Sequence, residues 1–257
     1  MYSTETAAWL GAQVAEFERA NRDVRVRLQG LGSLEAARSI ADGRVRPALW
    51  APADMAPVEL LEQEWRASHG TPLVVRDGAH WPRALVLTPM VFTAWQSRAT
   101  SLGEASVLPW ARLASIARSP RGWASLGAPA AWGTLKFGHT DPTRSHAGLQ
   151  ALVLMAYGYF ARTGRLTAGD VSSAGFEGFV HTLEASDPAA DRGTGSSGEF
   201  AQTIALQGPG RYDVAMMYES QAIAGMEVAR GRWGEELHVY YPSINAWSDH
   251  PLCLLQG

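Results

Sequence analysis

Apolar residues recur along the chain at two alternating spacings, one typical of helices and the other of strands. Residues 3–21 place Leu10, Val14 and Phe17 at helical spacing, which predicts an amphipathic helix with these side chains on one face. Residues 24–28 alternate apolar and charged side chains, as a half-exposed strand does. Shorter apolar runs predict strands at 48–51, 83–94, 135–138, 213–217, 237–241 and 252–255, and helices at 33–42, 57–69, 110–117, 171–183, 200–206 and 220–230. Strands that alternate with helices predict an α/β fold with a largely parallel sheet.

The most apolar helix is predicted at 145–163, directly after the polar loop 138–145. Its inward face is predicted to consist of Leu149, Leu152, Val153, Ala156, Tyr159 and Phe160, with Gly164 ending the helix. The loop places Thr143, Arg144 and Ser145 just before the first turn. Free backbone N–H groups, hydroxyls and a guanidinium at one helix N-terminus are the chemistry of an anion site. The alternative is that Thr143 or Ser145 serves only as a helix cap.

Three other predicted helices also begin beside hydroxyl side chains. These are Ser3 or Thr4, Ser33, and Ser196 or Ser197. Each could be a simple cap, but an α/β protein gathers such helix starts around one cleft at the carboxyl ends of its strands. The last of these helices follows a Gly-rich stretch at 193–198, which lacks the lysine of a phosphate-binding P-loop.

Composition excludes several classes of protein. The chain has 257 residues, a net charge of −3 and no basic tract, so nucleic acid is not an expected partner. A single cysteine rules out an internal disulfide, and the seven histidines show no metal-ligand spacing, so neither a metal nor a cofactor is predicted. His139 and His146 flank the polar loop, where a structural role is favoured over ligation. Glu219 follows a predicted strand and could accept a hydrogen bond from a ligand or pair with Arg144.

Several segments, taken in order, resemble the type II bacterial extracellular solute-binding proteins. They are the Gly-Leu-Gly-Ser helix start at 30–33, the Ala-Leu-Trp-Ala-Pro-Ala-Asp strand at 48–54, the Thr-Pro-Met-Val-Phe strand at 88–92 and the Gly-His-Thr-Asp-Pro-Thr-Arg-Ser loop at 138–145. Segments 213–219 and 241–255 add to the resemblance, which covers nearly the whole chain. Within the family, these segments are similar to the molybdate- and sulfate-binding branch, which includes domains fused to von Willebrand factor A domains.

The resemblance implies two α/β lobes, each a mostly parallel sheet flanked by helices, with a ligand cleft between them. The expected lobes are 1–87 plus 242–257 and 92–238, with hinge crossings near 87–91 and 239–242. The resemblance also implies ligand contacts at Ser3, Thr4, Ser33, Thr88, Thr140, Thr143, Arg144, Ser145 and Tyr218. The strand pattern adds Glu219 as a further candidate contact. The strand that usually precedes Ser3 is almost absent, and relatives usually continue beyond position 257. The chain is therefore expected to be an excised domain of a longer protein. The resemblance also implies an extracytoplasmic location, periplasmic or at the cell surface, with the signal or anchor segment trimmed.

Two functions remain open on the residues. The first is a non-enzymatic receptor that binds a small, anionic ligand for ABC-type uptake or sensing, with an ABC permease or a fused von Willebrand factor A domain as partner. The second is an α/β hydrolase or transferase that uses the loop at 138–148 as a phosphate cradle. An enzyme needs a positioned nucleophile and base. No spacing in the chain predicts that pair, so the receptor is favoured.

Overall fold

The computed structural model describes residues 1–103, 105–188 and 195–256. Its helices are α1 (Ala7–Ala20), α2 (Ser33–Ala41), α3 (Met55–His69), α4 (Gln96–Leu102), α5 (Trp110–Arg118), α6 (His146–Phe160), α7 (Ala168–Val171), α8 (Ala174–Glu184), α9 (Ser197–Gln207) and α10 (Glu219–Trp233). Its strands are β1 (Leu49–Trp50), β2 (Arg83–Ala84), β3 (Thr88–Trp95), β4 (Phe137–Gly138), β5 (Val214–Tyr218), β6 (Leu237–Tyr240), β7 (Trp247–Ser248) and β8 (Pro251–Leu254). None of the helices in these ranges is both long enough and apolar enough to cross a membrane.

The strands form two sheets, one of three strands and one of five. The first sheet has the order β1-β8-β2, and the second has the order β4-β5-β3-β6 with β7 paired to the start of β3. The predicted α/β architecture is therefore confirmed. The expectation of mostly parallel sheets is wrong in detail, because β4 and β5 pair in parallel whereas β8 and β3 are antiparallel to their neighbours. In each sheet, one strand that runs the opposite way lies between strands that share a direction.

The second sheet carries most of the core. All eight residues of β3 are buried, which explains the near-continuous apolar run in this stretch. On one face Phe92, Trp110 and Phe137 pack edge-to-face, with ring centroids 4.7–6.2 Å apart. At the start of β5 the fully buried Asp213 accepts hydrogen bonds from Arg98 Nε at 2.7 Å and Trp123 Nε1 at 2.9 Å. These partners compensate the negative charge of Asp213 inside the core of the second sheet.

Helix α6 begins close to its predicted start but ends three residues early. Ala161 takes a left-handed conformation with φ 50°, so the helix ends at Phe160 and not at Gly164. Its buried face also differs from the prediction, because Val153 is 41% exposed whereas Ala151, Leu154 and Met155 are buried. The helix is apolar on nearly every side, and periodicity then has little power to choose the inward face.

Helix α1 is amphipathic as predicted, but none of its residues is buried. Phe17 is 47% exposed and Trp9 is 40% exposed. Together with the segment 25–29 and the edge of the first sheet, the helix lines a groove of about 830 Å³. The predicted strand at 24–28 is not paired as a strand; the only bridge nearby joins Gly30 to Tyr2 among the described residues. The alternation instead separates the half-buried Val26 and Leu28 from the exposed Arg25 and Arg27.

Candidate functional site

A buried polar zone joins the residues around the first sheet to those around the second, and we call it the seam. It contains Ser3, Glu5, Ser33, Asp54, Ser145, His146, Gln150, Ser197, Ser248 and His250. The starts of α2, α6 and α9 meet along it. The helices approach so closely that a Cβ on Gly32 would lie 2.4 Å from the carbonyl oxygen of Gly195, so only glycine fits there.

Glu5 is the centre of one half of the seam. Its carboxylate, 1% exposed, accepts hydrogen bonds from Ser3 Oγ at 2.7 Å, Ser197 Oγ at 2.8 Å and His250 Nε2 at 3.0 Å. Burial acts to raise the pKa of Glu5, but the hydrogen bond and charge of His250, with the Ser3 hydroxyl, outweigh burial and hold the pKa below its ordinary value. Because Ser197 begins α9 beside the second sheet, this carboxylate also links the two parts of the molecule.

Ser33 lies behind Glu5 at the first residue of α2. Its Oγ accepts a hydrogen bond from the Ala53 backbone N–H at 3.0 Å and donates one to Ser3 Oγ at 3.0 Å. Gly32, not Ser33, is the N-cap residue of α2. The simple capping role that the sequence left open for Ser33 is therefore wrong, because its hydroxyl links two separate segments and accepts no bond from its own helix.

His146 and Asp54 form the other half of the seam. His146 Nε2 lies 2.5 Å from Asp54 Oδ2, and Gln150 Nε2 donates to the same oxygen at 3.1 Å. Ser248 Oγ then donates to Gln150 Oε1 at 3.2 Å. Asp54 also caps α3 by accepting from the Ala56 N–H at 2.7 Å. One carboxylate thus fixes the start of α3 and binds two residues of α6.

The loop before α6 packs tightly on the first turn of that helix. Thr140 Oγ1 donates to Ser145 Oγ at 2.9 Å, and both side chains are buried. A Cβ on Gly148 would lie 2.2 Å from the Thr140 carbonyl oxygen, so the glycine allows this approach. Thr143 is different, because it is exposed and its Oγ1 donates to Asp141 at 2.7 Å.

Arg144 connects this loop to α2. Its Nη2 donates to Glu35 Oε2 at 3.1 Å, and its carbonyl oxygen accepts from the Glu35 N–H at 3.2 Å. The predicted pairing of Arg144 with Glu219 is wrong. Glu219, the first residue of α10, instead accepts a hydrogen bond from the Tyr241 hydroxyl.

The other predicted residues lie around the seam. Thr4 Oγ1 accepts from the Gly198 N–H at 3.3 Å, at the start of α9. Thr88 is buried and accepts from the Ser220 N–H at 3.2 Å. Tyr218 is buried with its ring against His250, at a centroid distance of 5.9 Å. Burial raises the pKa of Tyr218 well above its ordinary value, and the charge of Glu5 adds to this effect.

The structure therefore brings Ser3, Thr4, Ser33, Thr140, Ser145 and Tyr218 towards one zone, with Arg144 at its edge. Thr143 and Glu219 make their hydrogen bonds outside it. Sequence reasoning missed Glu5, Asp54, Gln150, Ser248 and His250 as seam residues, named Ser197 only as one of two possible helix starts, and favoured a purely structural role for His146. Asp54 and His250 lie in segments that carried the family resemblance, which was the available signal. Gly193 and Thr194 of the predicted Gly-rich stretch lie outside the described residues.

Comparison with known protein families decides the class of protein. A sequence model of the bacterial extracellular solute-binding proteins matches residues 1–242. The chain belongs to this family. No curated protein sequence matches the chain.

Solved structures of solute-binding proteins share the fold. The sulfate-binding protein SubI from Mycobacterium tuberculosis is 17% identical with a TM-score of 0.60, over 99% of this chain and 73% of that one. A periplasmic molybdate-binding protein from Azotobacter vinelandii is 12% identical with a TM-score of 0.52, over 99% and 83%. An ABC transporter solute-binding protein from Agrobacterium vitis, solved with D-mannitol, is 10% identical with a TM-score of 0.61, over 100% and 67%. These similarities confirm the type II periplasmic-binding-protein fold predicted from the sequence.

Proposed function

We propose that this member of the family is a non-enzymatic receptor that binds a small solute between two lobes, at the seam, and delivers it to an ABC permease or a sensing partner. The proposed lobes are residues 1–87 plus 242–257 and residues 92–238, with hinge segments near 87–91 and 239–242. The observation that carries the proposal is the meeting of helix starts from both sheets along one buried polar zone, where Ser197 donates to Glu5 at 2.8 Å. A ligand held there would contact both lobes.

The ligand proposed here carries an anionic group. Backbone N–H groups at the first turns of α2 and α6 have no acceptor within their own helices, and helix N-termini favour negative charge. Ser145 accepts the bond from Thr140, so its own proton is available to an acceptor other than Thr140. Arg144 lies at the same end of α6, although Glu35 shares its charge.

A periplasmic or cell-surface location is proposed on the basis of the family, whose members are extracellular solute-binding proteins. A fused von Willebrand factor A domain remains a prediction of the sequence resemblance. The alternative, an enzyme that cradles phosphate in the loop at 138–148, has less support. The described residues of that loop hydrogen-bond one another or partners in the rest of the chain, as Thr140 and Ser145 do.

A ligand screen followed by scattering tests the receptor proposal. Thermal shift against inorganic oxyanions, sugars, amino acids and metal ions should find a solute that raises the melting temperature, since a ligand that binds only the folded state stabilises it. Small-angle scattering at saturation should then give a smaller radius of gyration, because a ligand that contacts two lobes favours their closed arrangement. Turnover of a phosphate ester without any such stabilisation would support the enzyme instead.

A further inference from the structure

We propose that the ligand also carries a protonated amine, bound on the Glu5 side of the seam, in addition to an anionic group at the starts of α2 and α6. This inference rests on the proposed receptor function and specifies its ligand class: a small organic zwitterion, not an inorganic oxyanion.

The first argument is the use of hydroxyl protons around Glu5. A serine hydroxyl has one proton to donate. Ser33 gives its proton to Ser3 at 3.0 Å, and Ser3 in turn gives its proton to Glu5 at 2.7 Å. Ser197 also gives its proton to Glu5, at 2.8 Å. None of these three hydroxyls keeps a donor for the anionic group of a ligand, so these side chains can offer a ligand only acceptors.

The second argument is a set of buried atoms without hydrogen-bond partners among the described residues. They include His146 Nδ1, His250 Nδ1 and Asp249 Oδ1. Each histidine presents Nε2 to a carboxylate, which can only accept, so Nε2 carries a proton. Asp249 Oδ1 is a carboxyl oxygen and can accept a hydrogen bond from a ligand. His146 is 3% exposed and His250 is 1% exposed, so water does not freely reach these rings. Among these unpaired atoms, the carboxyl oxygen of Asp249 calls for a donor.

The third argument is charge. Glu5, Asp54 and Asp249 bring three carboxyl groups to the seam. The other titratable groups that face them are the two histidines and the phenol of Tyr218. The nearby guanidinium of Arg144 is paired with Glu35.

Burial raises the pKa of the Asp249 carboxyl, and the charge of Asp54 adds to this effect. Buried negative charge is stable when a cation is placed beside it. A ligand ammonium supplies that cation and three N–H donors at once.

Calorimetry with matched ligand pairs at pH 7.5 tests the inference. The pairs are taurine with ethanesulfonate and β-alanine with propionate, because each pair shares its anionic group and differs in the amine. We expect the amine member of at least one pair to bind about tenfold more tightly or better, the scale of a hydrogen bond to a charged group. Glu5→Gln should reduce that ratio towards one. Glu16→Gln, on an exposed site of α1, should leave the ratio unchanged.

Several outcomes overturn the inference. Equal binding within both pairs would mean that the two histidines already compensate the charge of the carboxylates. The amine proposal would then be refuted, and the proposed receptor function would remain. Failure of both pairs to bind, with stabilisation by sulfate or D-mannitol, would also refute the amine and keep the receptor. Absence of stabilisation by any solute class would count against the receptor itself. If Glu5→Gln does not fold, Asp249→Asn must lower the ratio in its place, and an unchanged ratio would refute the inference.

Discussion

Replacing Ser33 by alanine tests the hydrogen-bond chain at the centre of the seam. The substitution removes the acceptor of the Ala53 N–H and the donor to Ser3 Oγ, both at 3.0 Å. Ser33 is 1% exposed, so water cannot easily replace either bond. The helix cap itself is not affected, because Gly32 holds that position.

The size of the effect follows from the group left unsatisfied. Removing one partner of a buried hydrogen bond costs the desolvation penalty of the other, about 1–3 kcal/mol. A lost helix cap costs only about 1 kcal/mol on average. We therefore expect Ser33→Ala to lower the free energy of unfolding by about 1–3 kcal/mol and to weaken solute binding, since Ser3 then loses the donor that fixes its orientation towards Glu5.

Urea denaturation followed by circular dichroism measures this change. Ser68→Ala is the matched control, because Ser68 is an exposed serine on α3 whose hydroxyl donates to its own helix, to the Glu64 carbonyl at 3.1 Å. The control should change stability by less than about 0.5 kcal/mol. Hydrogen exchange should show faster exchange of the Ala53 amide in Ser33→Ala. A variant as stable as wild type, with an unchanged Ala53 exchange rate, would refute the hydrogen-bond chain as described.

Three further predictions use other residues. Arg144→Ala should weaken binding of an anionic solute by about 1.5–3 kcal/mol, whereas Glu35→Gln should not weaken it. Equal affinities of Arg144→Ala and the wild type in calorimetry would exclude a direct role for the guanidinium. His139→Gln should destabilise the protein more at pH 5.5 than at pH 8. Burial acts to lower the pKa of His139, but its 2.8 Å hydrogen bond to Glu184 raises the pKa overall. The stabilisation from a raised pKa is present below the pKa of the unfolded state and is lost as the pH rises through the pKa of the folded state. An equal loss at both pH values in urea titrations would contradict this. Asp213→Ala should cost about 3–5 kcal/mol of unfolding free energy, because it leaves the buried guanidinium of Arg98 without its carboxylate partner. A loss below about 1 kcal/mol would show that the core replaces this carboxylate.

Local patterns predicted most elements of the fold, because apolar spacing and helix starts are properties of neighbouring residues. Helices α2 and α3 lie within two residues of their predicted bounds, whereas the single strand predicted at 83–94 is divided into β2 and β3, which belong to different sheets. The direction of strands β3 and β8 was not predictable in the same way. Each lies between strands that come from distant parts of the chain, and alternation of helices and strands does not say which strand enters a sheet in the opposite sense.

The residues of the candidate site likewise fall into those that local sequence signals predict and those that depend on distant parts of the chain. Ser3, Ser33 and Ser145 could be selected from sequence, because hydroxyls at helix starts are a local signal. Glu5 could not, since a glutamate near a helix start is commonly a solvated residue that complements the helix dipole. Its burial depends on His250 and Ser197, which lie 245 and 192 positions away. The same carboxylate changes the expected ligand, because hydroxyls that look like anion donors in the sequence are already donating to Glu5 in the fold.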